Sequence, residues 1–189
     1  MTVESKVQLN LGCGKATKLG WINVDQIPGP GVDLVLDLAK LPWPWAANSV
    51  DEIQAHALLE HIFAWEQVLL EMARVLKRGT GSVSIIVPYK LLAFDSPYHV
   101  RFFSSTTFDF FCDNVRTKTA IPFRRRAATT ADCERPENPP FSLVSKHTGK
   151  RYPFNWHLVQ RFGRKALYWP FGRRTTIEVV LRRNNELIS

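Results

Sequence analysis

Short apolar runs cut by turn residues fill the first half of the chain, the rhythm of an α/β sheet. The run "VQLNL" (7–11) predicts a first strand, closed by Gly12 and Gly14. "WINVD" (21–25) predicts a second strand, ahead of the turn-rich "QIPGPG", and "VDLVLDL" (32–38) a third. "LPWPW" is too rich in proline to extend that third strand. "SVDEIQAHA" (49–57) alternates apolar and polar positions and predicts a fourth. In "AWEQVLLEMARVLKRG" (64–79) the apolar residues Val68, Leu69, Met72, Val75 and Leu76 share one helical face. Lys77 and Arg78 complement the C-terminal dipole of that helix, and Gly79 is a stop signal. "GSVSIIVP" (81–88) predicts a fifth strand.

Beyond Pro88 the pattern loosens. "TTFDFFCDN" predicts a short helix, and residues 117–155, rich in proline, arginine and threonine, read as an irregular insertion. "NWHLVQRF" and "TTIEVVLRR" predict two closing antiparallel strands. The whole is expected to be one domain over 1–189, with a seven-stranded, mostly parallel sheet, a front half of 1–89 and a back half of 90–189.

Composition changes this picture mainly through charge. The net charge of +8 is unevenly placed: residues 1–89 carry 7 Lys/Arg against 9 Asp/Glu, while residues 90–189 carry 18 against 8. Sixteen of the 22 aromatics also lie in the second half. A basic, aromatic half can attract polyanions by long-range electrostatics and base stacking. The segments 116–126 and 146–165 interleave cations and aromatics most densely, so nucleic acid is the first partner expected. No apolar run approaches the roughly 20 residues of a membrane-spanning helix, and the N-terminus lacks the pattern of a secretory signal. Three scattered cysteines, Cys13, Cys112 and Cys133, have no metal-ligand spacing and fit a reducing compartment. A soluble, cytoplasmic protein without a bound metal is expected.

The stretch "LGCGKATKLGWINVD" narrows the choice of ligand. Two glycines where a strand turns let a backbone approach a ligand without a Cβ in the way. A dinucleotide fingerprint fails here, because its third glycine position holds Thr17. Asp25 follows Gly14 by 11 residues, where a dinucleotide site expects an acid about 20 residues on. Only residues 15–22 separate Gly14 from Asn23, too few for a normal crossover helix.

Taken in order, "LNLGCG…GWINVD…DLVLDL…LP…SVDEI…LEH…EMARVLKRG…IIVP" resembles the class I S-adenosylmethionine-dependent methyltransferases, in particular small bacterial and phage-type members. The resemblance covers about residues 7–89. It implies a Rossmann-like fold and S-adenosylmethionine as cofactor. It places Leu11, Gly12, Cys13 and Gly14 at the amino-acid end of that cofactor, Asp25 on the ribose hydroxyls, and Asp37 with Leu38 near the adenine. A carboxylate suits a ribose diol because it accepts from both hydroxyls. Asn10 departs from the acid that many relatives carry at its position.

Methyl transfer needs a positioned nucleophile and, for some acceptors, a base. His56 is expected at the carboxyl edge of the fourth strand, where ligands bind in open α/β sheets, lining the cofactor or acceptor pocket. His99, in "DSPYHVRFFS", is the candidate general base or acceptor contact. His61 reads as structural, and His147 and His157 have no assigned role. The Asn/Asp-Pro-Pro-aromatic tetrapeptide of amino-methylating DNA enzymes is absent, "QAHA" standing in its place, and no Pro-Cys pair suggests a cytosine-C5 nucleophile. The expected function is methyl transfer to an oxygen or nitrogen of an anionic acceptor. The alternatives are a small-molecule or glycan methyltransferase and a binding protein that keeps the fold without turnover.

Overall fold

The computed structural model describes residues 6–89, 93–115, 138–149 and 176–185. Seven strands and one α-helix dominate them: β1 (Gln8–Leu11), β2 (Ile22–Asp25), β3 (Leu34–Val35), β4 (Glu52–His56), α1 (Trp65–Val75), β5 (Ser82–Pro88), β6 (Phe141–Gly149) and β7 (Thr176–Arg183). They form one sheet in the order β3-β2-β1-β4-β5-β7-β6. β1 to β5 pair in parallel, and β7 runs antiparallel to both β5 and β6.

Register explains which residues become core. Leu9 pairs with Ile53, Ile53 with Val83 and Val83 with Leu181. Leu11, Ala55, Ile85 and Val179 make a second such row, and all eight side chains are fully buried. Val68, Leu69, Met72 and Val75 of α1 join the same apolar cluster, as the helical spacing predicts. The opposite face of the sheet carries Gln8, Asn10, Asn23, Gln54, Ser82 and Ser84. A parallel sheet packed on both faces reads as continuous apolar runs; these strands alternate, so the apolar core lies on one side.

Three boundaries differ from the sequence expectation. The third strand shrinks to Leu34–Val35, because Asp33 turns its carboxylate onto Asn23 and Asp37 folds onto the amide of Ala39. The helix ends at Val75, ahead of Gly79, because Leu76 turns extended and bridges to Val50. The partner of the last strand is Phe141–Gly149, inside the stretch read as irregular insertion. It is an edge strand with a register shift between Leu143 and Ser145 and an exposed Val144, so its run of Ser, Lys, His and Thr hid its pairing. The predicted strand "NWHLVQRF" lies outside the described residues, as does the whole of the basic stretch 116–126. Among the described residues no helix is long and apolar enough to cross a membrane.

An ion pair between buried Glu71 and half-buried Arg74 fastens the proline-rich loop to α1. Glu71 accepts the Trp43 backbone N–H at 2.7 Å and two bonds from Arg74 at 2.8 and 2.6 Å. Arg74 also donates to the carbonyls of Trp43 and Trp45. These bonds from Arg74 hold the Glu71 carboxyl below its ordinary value of 4.5, against the cost of burial. The Glu71→Ala variant is expected to lose about 2–4 kcal/mol in urea unfolding, the scale of several charge-assisted hydrogen bonds. The pair's contribution is complete above the unfolded-chain value and is lost as pH falls through the lower folded value. Below about pH 4.5 the wild type should therefore lose stability more steeply than Glu71→Ala.

Candidate active site

The glycine turn opens at the carboxyl end of β1. Gly12 and Gly14 both take positive φ, +63° and +50°, a region that favours glycine. Their surroundings differ. A Cβ on Gly12 would lie 2.9 Å from Leu58 Cδ1, whereas a Cβ on Gly14 would meet nothing within 4 Å. Gly12 is thus packed against the segment after β4, and Gly14 faces open space.

Asp25, the last residue of β2, closes onto this turn. Its Oδ2 accepts the Gly14 N–H at 2.8 Å and its Oδ1 the Ile27 N–H at 3.0 Å. Each oxygen keeps a further lone pair on a half-buried carboxylate. Cys13 between the glycines is buried, and burial first, then the charge of Asp25, push its thiol above its ordinary value. It is a packed thiol, unsuited to nucleophilic work. Leu11 and Leu38 also turn their side chains into the core, so only their backbones are open to a ligand. Asp37 caps its own turn through Ala39 and pairs loosely with Lys40 at 3.6 Å, a mostly solvated contact.

Side-chain amides do the work of the missing crossover helix. Buried Asn10 donates from Nδ2 to the Ala16 carbonyl and to Asn23 Oδ1, both at 2.9 Å. Asn23 Oδ1 also accepts the Lys18 N–H at 2.7 Å, and Asn23 Nδ2 donates to Lys18 O, Trp21 O and Asp33 Oδ2. The loop from β1 to β2 is therefore tied at Ala16, Lys18 and Trp21 from the two strands it joins. Asn10 is not aimed at a ligand. Its role, and that of Asn23, was not visible in the sequence, although two asparagines at matching positions of adjacent short strands were a signal.

A cleft of about 480 Å³ opens at the carboxyl ends of β4 and β5, lined by His56, Ala57, Glu60, Asp95, Ser96 and His99 among others. The position expected for His56 holds: it ends β4, and its Nε2 lies 3.2 Å from Ser84 Oγ. Ala57 takes φ +51°, turning the chain into a 3-10 turn at Leu59–His61. The segment carrying His99 is stitched to that turn, since Val100 and Arg101 donate backbone N–H bonds to the Glu60 carbonyl at 2.8 and 3.2 Å. Further along, Phe103 and Phe108 pack edge-on against Trp65. His99 thereby meets His61 with ring centroids 5.0 Å apart. Glu60, which the sequence reading passed over, is 1% exposed beside both imidazoles. His147 is exposed on β6, away from these residues in the sheet order, and His157 lies outside the described residues.

This strand order, with its glycine turn at the edge of β1, is the class I methyltransferase architecture. Residues 22–83 match the family model described as a methyltransferase domain. A structure of the Trm112 methyltransferase activator of Haloferax volcanii in complex with a chain described as a methyltransferase superposes with a TM-score of 0.63 at 12% identity, over 98% of this chain and 85% of the other. The YcgJ protein of Bacillus subtilis gives 0.54 at 14% identity, over 97% and 94%. An S-adenosylmethionine-dependent methyltransferase of Mesorhizobium loti gives 0.51 at 13%, over 95% and 91%. At such identities the structural likeness is one of fold. No curated protein sequence matches significantly. The match over residues 22–83 and the shared strand order give the chain the fold of the class I S-adenosylmethionine-dependent methyltransferases. The donor set at the turn suits that cofactor: open space before Gly14 and, beside it, carboxylate lone pairs for a diol.

The amide network explains why an acid is excluded at position 10. Asn10→Asp would place an oxygen against the Ala16 carbonyl and Asn23 Oδ1, losing two buried bonds and setting acceptors against each other. The variant is expected to lose about 2–4 kcal/mol of stability, from unsatisfied buried polar groups. Chemical denaturation checks this, and an unchanged midpoint would remove Asn10 from its tethering role.

Proposed function

We propose that the chain methylates an oxygen or nitrogen of a small acceptor seated in the cleft between β4, β5 and the His99 segment. S-adenosylmethionine supplies a methyl group already activated on a sulfonium, so the protein's task is to bind, orient and, where needed, take a proton. In this reading Gly12 and Gly14, with the backbones of Leu11 and Cys13, receive the amino-acid end of the cofactor. Asp25 holds the ribose hydroxyls, Asp37 and the Leu38 backbone border the adenine, and His56 stands between cofactor and acceptor. His99 meets the acceptor. Its Nδ1 lies 2.8 Å from the Ala93 carbonyl, an acceptor only, so Nδ1 carries the hydrogen and Nε2 is the basic nitrogen.

The observation that carries this reading is the adjacency of turn and cleft. Gly12 packs on Leu58, and the neighbours Ala57 and Glu60 line a cavity of small-ligand size. Among the described residues the cleft wall carries no lysine or arginine: it offers Glu60 and Asp95 with two histidines. A second reading, nucleic acid as acceptor, keeps the support of the charge split, with 18 Lys/Arg against 8 Asp/Glu over 90–189. Its segments lie almost wholly outside the described residues, and Lys146 is committed to Asp109 by bonds of 2.6 and 2.8 Å. A cytoplasmic setting accords with this function.

Asp25→Ala should weaken S-adenosylmethionine binding by about 1.5–3 kcal/mol, the range for hydrogen bonds to a charged group. Calorimetry measures it, and unchanged affinity would remove Asp25 from the ribose. Incubation with methyl-labelled cofactor and fractionated acceptor pools should place label in small molecules. The nucleic-acid reading instead predicts labelled RNA or DNA, with binding that falls steeply with salt as counterions are released.

A further inference from the structure

We propose that Glu60, His61 and His99 form a binding site for a single divalent transition-metal ion of the zinc class at the edge of the cleft. One carboxylate oxygen and one ring nitrogen from each histidine lie within 4.8 Å of one another. Both imidazoles are set as ligands. His61 Nδ1 lies 3.1 Å from the Tyr98 carbonyl and His99 Nδ1 2.8 Å from the Ala93 carbonyl. A carbonyl only accepts, so each Nδ1 carries the hydrogen and each Nε2 presents a lone pair, the arrangement that second-shell carbonyls impose on metal-bound histidine.

Glu60 is the independent observation. Its side chain is 1% exposed, and among the described residues its Oε2 has no hydrogen-bond partner. A buried carboxylate oxygen without a donor or cation is costly, and two unprotonated ring nitrogens bring it neither. A cation between the three groups satisfies all of them at once.

Two imidazoles and one carboxylate are a donor set for zinc and its neighbours, and a poor one for magnesium, which prefers oxygen ligands and water. Zinc bonds of about 2.1 Å set tetrahedral ligand atoms about 3.4 Å apart, so small side-chain rotations close the site. Three protein ligands leave a fourth position open. Glu60 and His99 both line the cleft, so that position faces it and suits an oxygen of the acceptor. This last step rests on the acceptor reading above, with one change. When the ion is bound it occupies the His99 Nε2 lone pair, so His99 meets the acceptor through the metal and takes no proton itself. Metal binding does not depend on that reading.

The test is a zinc titration of the full chain, free of cofactor and acceptor, by calorimetry against a competing chelator. One equivalent should bind, with magnesium giving no heat, and the melting temperature should rise with zinc. Glu60→Gln and His61→Ala should each weaken zinc binding by at least about 100-fold while S-adenosylmethionine affinity stays within a few-fold. Two variants on separate side chains guard against one that fails to fold, and the cofactor titration reports folding in both. Absence of stoichiometric zinc binding, or wild-type zinc affinity in both folded variants, overturns the site. Because the titration contains no acceptor, a failure here is distinct from a failure of methyl transfer.

Discussion

Two neighbouring parallel strands, β1 and β2, are joined by residues 12–21 alone, and most of the candidate site follows from that constraint. Parallel strands ordinarily need a crossover of a dozen or more residues, commonly a helix. Here Asn10 and Asn23, paired in register, hold the short loop by their amides. Asp33 then fixes Asn23 through its backbone N–H at 2.7 Å and its amide at 2.9 Å, and those bonds hold the Asp33 carboxyl below its ordinary value. Polar side chains are affordable inside the sheet because every one of these bonds is matched. The same shortness brings Asp25 back to the glycine turn within bonding distance of Gly14.

A consequence appears in how the sheet is covered. Buried rows such as Leu9, Ile53, Val83 and Leu181 build the core on one face, while the face carrying Asn10, Gln54 and Ser84 is polar. His56 belongs to that polar row, being two residues beyond Gln54 on β4, and it reaches the cleft from there. Apolar packing and ligand-facing chemistry are thus separated by the period-two alternation of the strands. The left-handed turn at Ala57 then redirects the chain, so that Glu60 and His61 approach His99.

Much of the fold was legible because local pattern and tertiary role agree. The glycine-ended first strand, the alternating fourth and fifth strands and the face of α1 sit where periodicity placed them. The third strand was overestimated because Asp33 and Asp37 spend their carboxylates on turns, which hydrophobic pattern does not register. The β6 edge strand was missed because edge strands tolerate polar residues and bulges. Within the candidate site, Gly12, Gly14, Asp25, His56 and His99 were visible as residue types at meaningful places. Glu60 was not: "LEH" reads as a solvated turn until the 93–103 segment folds over it and buries the carboxylate. Burial of that kind comes from a contact 39 positions away in sequence, between Glu60 and His99, which no local pattern encodes.

The central claim is that the turn at Gly12–Gly14 and the end of β2 receive the cofactor beside the cleft. Titrating isotope-labelled protein with S-adenosylmethionine and following backbone amide resonances tests it directly. The account predicts saturable shifts concentrated at Gly14, Asp25, Ile27 and the His56–Ala57 junction, with the buried strands β5 and β7 little changed. Saturable binding whose shifts cluster away from the carboxyl ends of β1, β2 and β4, or no saturable shifts from a folded chain, would contradict it.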